Sequence, residues 1–414
     1  MSEAGFDHPV RSYTRHPVPR PSLSSPLTVA LATRAGTWIA AAFALLILDP
    51  LMRSFGGDSV WVDDVGWFVD MWARWDSGWF VAIARDGYVN PEESTAFFPL
   101  YPGLLKVVGA ILGGHYVLAG LLVSLAAGTG AVLLLHRLTR ELLDDDAADR
   151  AVLYVCLFPM SIFLLAVYSE ALYLLLSVAT FLLALRGRFL AAGLVAGLAL
   201  LTRTSAVALL PALAVLAWQT SDGRARRLAS LAVAGAVGTL WPLWLWLRLD
   251  DPLLFVRAQS SESWGRNLSP AGPLGGLWHA AEAGWAAIRQ LIEGPGGRVY
   301  WAHATDTTPM HVAAVNLELL AYLVLFLGLA IVVWRRLGPA FGAFVAASLA
   351  LPLSAPTDDW PLLSLPRFGL GIFPIFIALA LLGRRPRLHV AILCISALLL
   401  GVTIVRWSAG QFVA

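Results

Sequence analysis

The stretch 61–88, WVDDVGWFVDMWARWDSGWFVAIARDGY, sets five aspartates and two arginines among five tryptophans. Trp72, Trp75, Trp79, Phe80 and Ile83 recur at three- and four-residue spacing, which predicts one face of a helix. Tryptophan favours the membrane–water boundary, so the expectation is an amphipathic helix on the outer surface of a membrane. Asp76 falls on that face, four residues from Trp72 and from Phe80. A carboxylate among aromatics loses solvation, which is costly unless it has a partner or a job. The job it offers is that of a general base; the alternative is an ordinary salt bridge or helix cap. Asp70 and Arg74 stand four apart, the spacing of a routine helical ion pair. Asp63 and Asp64 fit a helix cap or, at low specificity, a metal-binding pair. Asp86, before Gly87, fits a turn.

Other candidates lie outside this stretch. In FFPLYP, Phe97 to Pro102, two prolines three apart stiffen the backbone. Tyr101 there either lines a lipid-chain or sugar pocket or belongs to a simple helix start. Glu170, Arg203 and Arg367 fall at the predicted outer ends of apolar runs, at the level of Asp76. Ionisable groups so placed are costly and usually functional, and arginine grips phosphate through paired hydrogen bonds. Arg34, near the inner end of the first run, is expected to snorkel to lipid phosphate. Further on, Trp278, Ala281, Trp285, Ile288 and Ile292 share a face of a second expected interfacial helix, one that covers the site. After it come Arg298, Tyr300, His303, Asp306 and His311, whose spacing matches no metal motif. Substrate contact or lid packing is the better reading for them.

The elements that must position these groups follow from composition. Of 414 residues, 58% are hydrophobic and 14% charged, with mean hydropathy +0.72. Soluble domains carry about 25% charged residues, so the chain is a polytopic membrane protein. A net charge of +2 argues against a nucleic-acid partner. Cys156 and Cys394 sit in apolar runs with no second ligand nearby and read as packing residues. About 11 transmembrane helices are expected, near 36–52, 116–136, 150–167, 169–185, 189–203, 205–219, 228–247, 312–334, 338–355, 368–383 and 388–406. Residues 1–27 are polar and proline-rich and are expected to be a disordered cytoplasmic tail; no removable signal peptide is evident. Residues 28–414 form the membrane domain. Segment 97–114 decides the topology. Read as interfacial, it leaves 17 of the 29 basic residues on short inner segments, as cytoplasmic loops require. The N-terminus is then inside and the C-terminus outside. Two long external loops, 53–115 and 248–311, remain to carry the chemistry.

Taken together, RWDSGWFVAIARDGY with AFFPLYP, then LFPMSIFLLAVYSEALYLLLS, ALLTRTSAVALLP and LPRFGLGIFPIFIALA, resemble the GPI mannosyltransferase 2 (PIG-V) family and its prokaryotic relatives. Four blocks occur in that family's order, over most of 70–210 and 360–380. The resemblance implies a GT-C fold and a lipid-phosphate sugar donor used outside the membrane. It also implies a base in the first external loop, the family's Trp-Asp pair falling on Trp75 and Asp76. Dolichyl-phosphate mannose serves the eukaryotic relatives, and a polyprenyl-phosphate mannose is the counterpart expected here.

The residues fit that chemistry on their own terms. Asp76 takes the acceptor's proton, and Arg203, Arg367 and Arg298 stabilise the departing phosphate. Attack opposite the leaving group inverts the anomeric centre. Arg74, Trp75, Tyr101, Glu170 and His303 complete the expected substrate-binding set. No cofactor is expected; a divalent metal is conceivable but not required, because the leaving group is already a phosphodiester. The expected partners are the polyprenyl-phosphate-sugar donor, a lipid or glycan acceptor and membrane lipids, at the plasma membrane. A lipid or sugar transporter and a non-catalytic scaffold are the competing readings. A transporter would want charges along a mid-membrane path, and no inverted repeat is visible.

Overall fold

The computed structural model describes residues 25–52, 61–219, 223–261, 265–297, 308–357 and 360–413, and for 49–52 the backbone alone. The architecture is all-helical. The one β-bridge among these residues joins Arg266 to Thr357. The tail expected at 1–27 lies outside the described residues up to position 24; the first helix, α1 (Pro26–Met52), begins at a proline, which suits a first helical turn.

The first long loop folds into α2 (Trp67–Asp70), α3 (Asp76–Asp86), α4 (Pro91–Ser94) and α5 (Leu100–Ile111). Next come α6 (Tyr116–Leu142) and α7 (Asp145–Leu157), then a 3₁₀ segment, Pro159–Leu164, opened by a proline with no N–H to continue the helix. The middle of the chain holds α8 (Glu170–Leu185), α9 (Phe189–Leu200), a second 3₁₀ segment, Thr204–Ala208, α10 (Leu209–Trp218), α11 (Arg224–Gly238) and α12 (Leu240–Leu249). The second long loop carries α13 (Leu254–Gln259) and α14 (Pro273–Glu293). The chain closes with α15 (Pro309–Leu337), α16 (Pro339–Ser354), α17 (Leu365–Gly371), α18 (Pro374–Leu382) and α19 (Pro386–Ser408).

Each of the eleven expected stretches contains helix, but they differ in length and in continuity. Among the described residues, five stretches are long and apolar enough to cross a bilayer unaided: Pro26–Leu48, Tyr116–Leu142, Arg224–Leu249, Pro309–Leu337 and Pro386–Ser408. A sixth, α17 with α18, is broken by an 86° bend at Pro374. The others are shorter apolar helices or are interrupted by 3₁₀ segments. α5 has 12 residues, about 18 Å of helix against a hydrocarbon core of about 30 Å, the same length as α9 in an expected span. Ile39, Phe43 and Leu46 on α1, and Leu398, Val402 and Val405 on α19, are exposed; in a spanning helix such a stripe faces lipid.

Small residues set the close contacts, as membrane helix pairs require. Gly193 and Gly197 of α9 meet Ser230 and Val237 of α11 with no room for a Cβ. In α14, Gly276, Ala280, Ala283, Gly284 and Ala287 face inward, and the helix packs on α15 and α16. Its aromatic face, Trp278, Trp285 and Ile292, is exposed. Arg34 corrects an expectation. Instead of snorkelling, it is buried, donating to the backbone oxygens of Ser161 and, at 2.7 Å, Cys156. Both carbonyls lie where α7 gives way to the 3₁₀ turn, and the guanidinium supplies them with charged donors beside the Ser161 hydroxyl that also reaches Cys156 O.

Gly193→Leu is expected to lower stability by about 2 kcal/mol through overpacking, read as a fall in the thermal midpoint in detergent. Gly235→Ala, on the same α11 but with open space around it, should leave the midpoint unchanged or raise it.

Candidate active site

Most acids of the first loop are spent on structure. Asp64 accepts from the Val117 and Leu118 N–H groups at 2.7 and 3.3 Å and meets His115 Nδ1 at 2.9 Å, which caps α6. Asp70 accepts the N–H groups of Asp64, Val65 and Gly66 at 3.0, 3.1 and 2.8 Å. It therefore does not form the expected pair with Arg74. Arg74 is fully buried, donating from Nε to Met71 O at 3.3 Å, with its guanidinium 5.0 Å over the Trp61 ring. Burial pushes its pKa down to about 10.

The expected single helix through Trp72, Trp75 and Trp79 does not form. Trp75 is left-handed, at φ 49°, a conformation a helix cannot include. The chain turns there, sending Trp75 against Trp407 and Phe412 at 4.9 and 5.8 Å. Trp72 stacks on Trp407 as well. Asp76 thereby becomes the first residue of α3, where the helix dipole favours a negative charge.

The groups read from the sequence as sharing one level do meet. Asp76 Oδ2 lies 2.6 Å from Arg367 Nη1; Arg367 Nε lies 3.5 Å from Glu170 Oε1; the same oxygen lies 2.8 Å from Arg203 Nη1. Glu170 is 3% exposed, while Asp76 and Arg203 side chains are each 15% exposed. The chain of charges is most deeply buried at Glu170 and partly open at both ends, Asp76 and Arg203. Aromatic faces surround the cations: Phe163 and Tyr168 under Arg367, Tyr173 under Arg203. Tyr168 also ties the cluster to the first loop, its hydroxyl donating to Arg74 O at 3.0 Å.

Two participants had no signal in the sequence. Arg266, from the second long loop, donates to Leu363 O at 3.1 Å, and burial, with Arg367 and Arg203 nearby, pushes its pKa down to about 10. Nothing in the chain distinguishes it from Arg257, which is exposed and paired with Asp251. Phe368 has the guanidiniums of Arg203, Arg266 and Arg367 at 5.3, 5.3 and 5.7 Å from its ring.

The remaining expected site residues stand elsewhere. Tyr101 is wholly buried, its hydroxyl bonded to Ser124 Oγ at 2.7 Å and Gly120 O at 3.2 Å, so it joins α5 to α6. Arg298 and His303 lie outside the described residues. Among the described residues, no three His, Cys, Asp or Glu side chains gather closely enough to hold a metal ion.

Glu170→Gln leaves two inward-facing arginines underpaired. It should cost about 3 kcal/mol, the scale for breaking a buried pair, measured as a lower thermal midpoint. The double variant Glu170→Gln with Arg203→Gln should recover part of that loss.

Known proteins share part of this chain. At 37% identity over 138 residues, it is similar to GPI alpha-1,6-mannosyltransferase 2 of Rattus norvegicus, a stretch covering 31% of this chain and 28% of the relative. The Cricetulus griseus counterpart is 35% identical over 142 residues, again 31% and 28%. The alignments therefore span little more than a quarter of those relatives' length. Among solved structures, the chain is similar to the oligosaccharyltransferase AglB of Archaeoglobus fulgidus, with TM-score 0.45 and 15% identity over 93% of this chain and 56% of that one. ArnT of Cupriavidus metallidurans follows at TM-score 0.39 and 16% identity, over 92% and 77%. The family model described as Mannosyltransferase (PIG-V) matches residues 44–221, which hold Asp76, Glu170 and Arg203 but not Arg367, so over this segment the chain carries the mannosyltransferase pattern.

Proposed function

We propose that this chain is a GT-C membrane mannosyltransferase, moving mannose from a polyprenyl-phosphate donor to a lipid or glycan acceptor. The observation that carries the reading is the run Asp76–Arg367–Glu170–Arg203, a carboxylate at an opening backed by two arginines anchored on one buried acid. Lipid-linked sugars present an apolar tail to the bilayer and a reactive carbon at its surface, so helix ends at one level form a suitable place to receive them.

Each group has a task. Oδ2 of Asp76 is held by Arg367, which leaves Oδ1 to take the acceptor's proton. The acceptor oxygen bonds to the anomeric carbon as the bond from that carbon to the phosphate oxygen breaks. The bonding pair leaves with the phosphate, and Arg367 and Arg203 stabilise the charge that develops there. Approach from the side opposite the phosphate inverts the anomeric centre. Arg74 and Trp75 act by shaping the turn that aims Asp76, and Arg298 and His303 remain candidate substrate contacts. The step needs no metal. The site faces the outside of the plasma membrane, with the N-terminus cytoplasmic and the C-terminus external, the orientation that keeps the arginine-rich turns inside.

Membranes from cells expressing the chain, given labelled polyprenyl-phosphate mannose and native lipid extract, test this. Wild type should transfer label to a new product, and Asp76→Asn at matched protein level should be slower by a factor of about 10²–10⁴, the usual worth of a general base. Equal transfer by both would remove Asp76 from the mechanism.

A further inference from the structure

The second long loop does more than connect helices. Residues 265–269 run antiparallel to 354–357: Arg266 bridges to Thr357, Asn267 N donates to Pro356 O at 3.4 Å, and Ser269 N donates to Ser354 O at 2.9 Å. This ribbon carries Arg266 to the entrance of α17, where it joins Arg203 and Arg367 around the partly exposed Phe368. Against these three guanidiniums stand, among the described residues, two carboxylates, Asp76 and Glu170, and the buried Nε of Arg367 has no hydrogen-bond partner. Among the described residues, three positive and two negative groups leave a net charge of +1. An excess positive charge at a largely desolvated place calls for an anion.

We propose that Arg203, Arg266 and Arg367, ranged around Phe368, bind a phosphate monoester dianion, and that Arg266 makes the site prefer it to a phosphodiester. The proposal rests on the transfer reading for its biological sense. During transfer Asp76 gains a proton and becomes neutral, so the protein groups pass from +1 to +2. The phosphodiester, a monoanion, loses the sugar and becomes a phosphate monoester dianion. Protein and lipid phosphate stay matched in charge on both sides of the step. A third arginine, beyond the two held by Glu170, favours the state in which phosphate charge has developed, the condition for catalysis.

The test measures binding to the full chain purified in detergent, by calorimetry at pH 8, with farnesyl phosphate and its methyl diester as probes. Wild type should hold the monoester about tenfold tighter than the diester, reflecting an added charge-assisted hydrogen bond. Arg266→Gln should bring that ratio to about one while weakening the diester less than the monoester, and Arg266→Lys should keep part of the preference. An unchanged ratio in Arg266→Gln overturns the proposal. If that variant does not fold, wild type at pH 5 decides the matter, because the monoester is then largely a monoanion. Its preference should vanish, with the diester controlling for titration of Asp76, Glu170, Tyr168 and Tyr173 at the site. A preference persisting at pH 5, or wild type binding neither probe, overturns the anion site. Selective monoester binding without any sugar transfer would instead sink the transfer reading and leave the anion site standing.

Discussion

Two arginines share one oxygen of Glu170, and the rest of the site hangs on that arrangement. Arg203 reaches Oε1 at 2.8 Å and Arg367 approaches it at 3.5 Å. Without the carboxylate, two positive charges would face each other in a poorly solvated space, where repulsion is little screened. With it, they are held side by side. Arg367 then turns its far side to Asp76, so the placement of the partly buried carboxylate is set from within the protein. The sharing leaves Arg203 dependent on an oxygen it divides with Arg367, whereas Arg367 has Asp76 as a second partner.

Each member of the cluster stands at a helix end or break: Asp76 and Glu170 as first residues of α3 and α8, Arg203 before a 3₁₀ segment, Arg367 in the short α17. The pattern has a physical origin. In a bilayer interior a charged side chain is costly, and backbone groups outside a helix need partners. Ending several helices at one depth satisfies both demands, because free backbone groups and charged side chains then solvate one another. The short and interrupted helices, too brief to cross unaided, are what bring those ends together.

Helix content and the joint level of Asp76, Glu170, Arg203 and Arg367 were legible because hydropathy fixes depth along a spanning chain, and depth alone was enough to group them. What depth does not encode is direction around an axis. Trp75 reads as one more member of a helical face, yet its positive φ keeps it out of α3, which starts one residue later, and no residue type there announces it. Arg34 was misread for a related reason. A position near a helix end is compatible with snorkelling, and only the carbonyls of Cys156 and Ser161, where a distant helix breaks, make burial better. Arg266 was invisible because its value comes from a loop pairing of Thr357 with a residue 91 positions before it, which periodicity does not record.

The buried Arg34 also bears on how the chain is made. Its two carbonyl partners lie 122 and 127 residues further along. A ribosome adding about 5–20 residues per second needs on the order of ten seconds to reach them. Through that interval the first helix carries a positive charge with its final partners not yet synthesised, at an insertion cost of about 2.5–3.5 kcal/mol if it sits at mid-bilayer. Holding Arg34 at the headgroups until Cys156 and Ser161 have entered the membrane beside it is the course that avoids this cost.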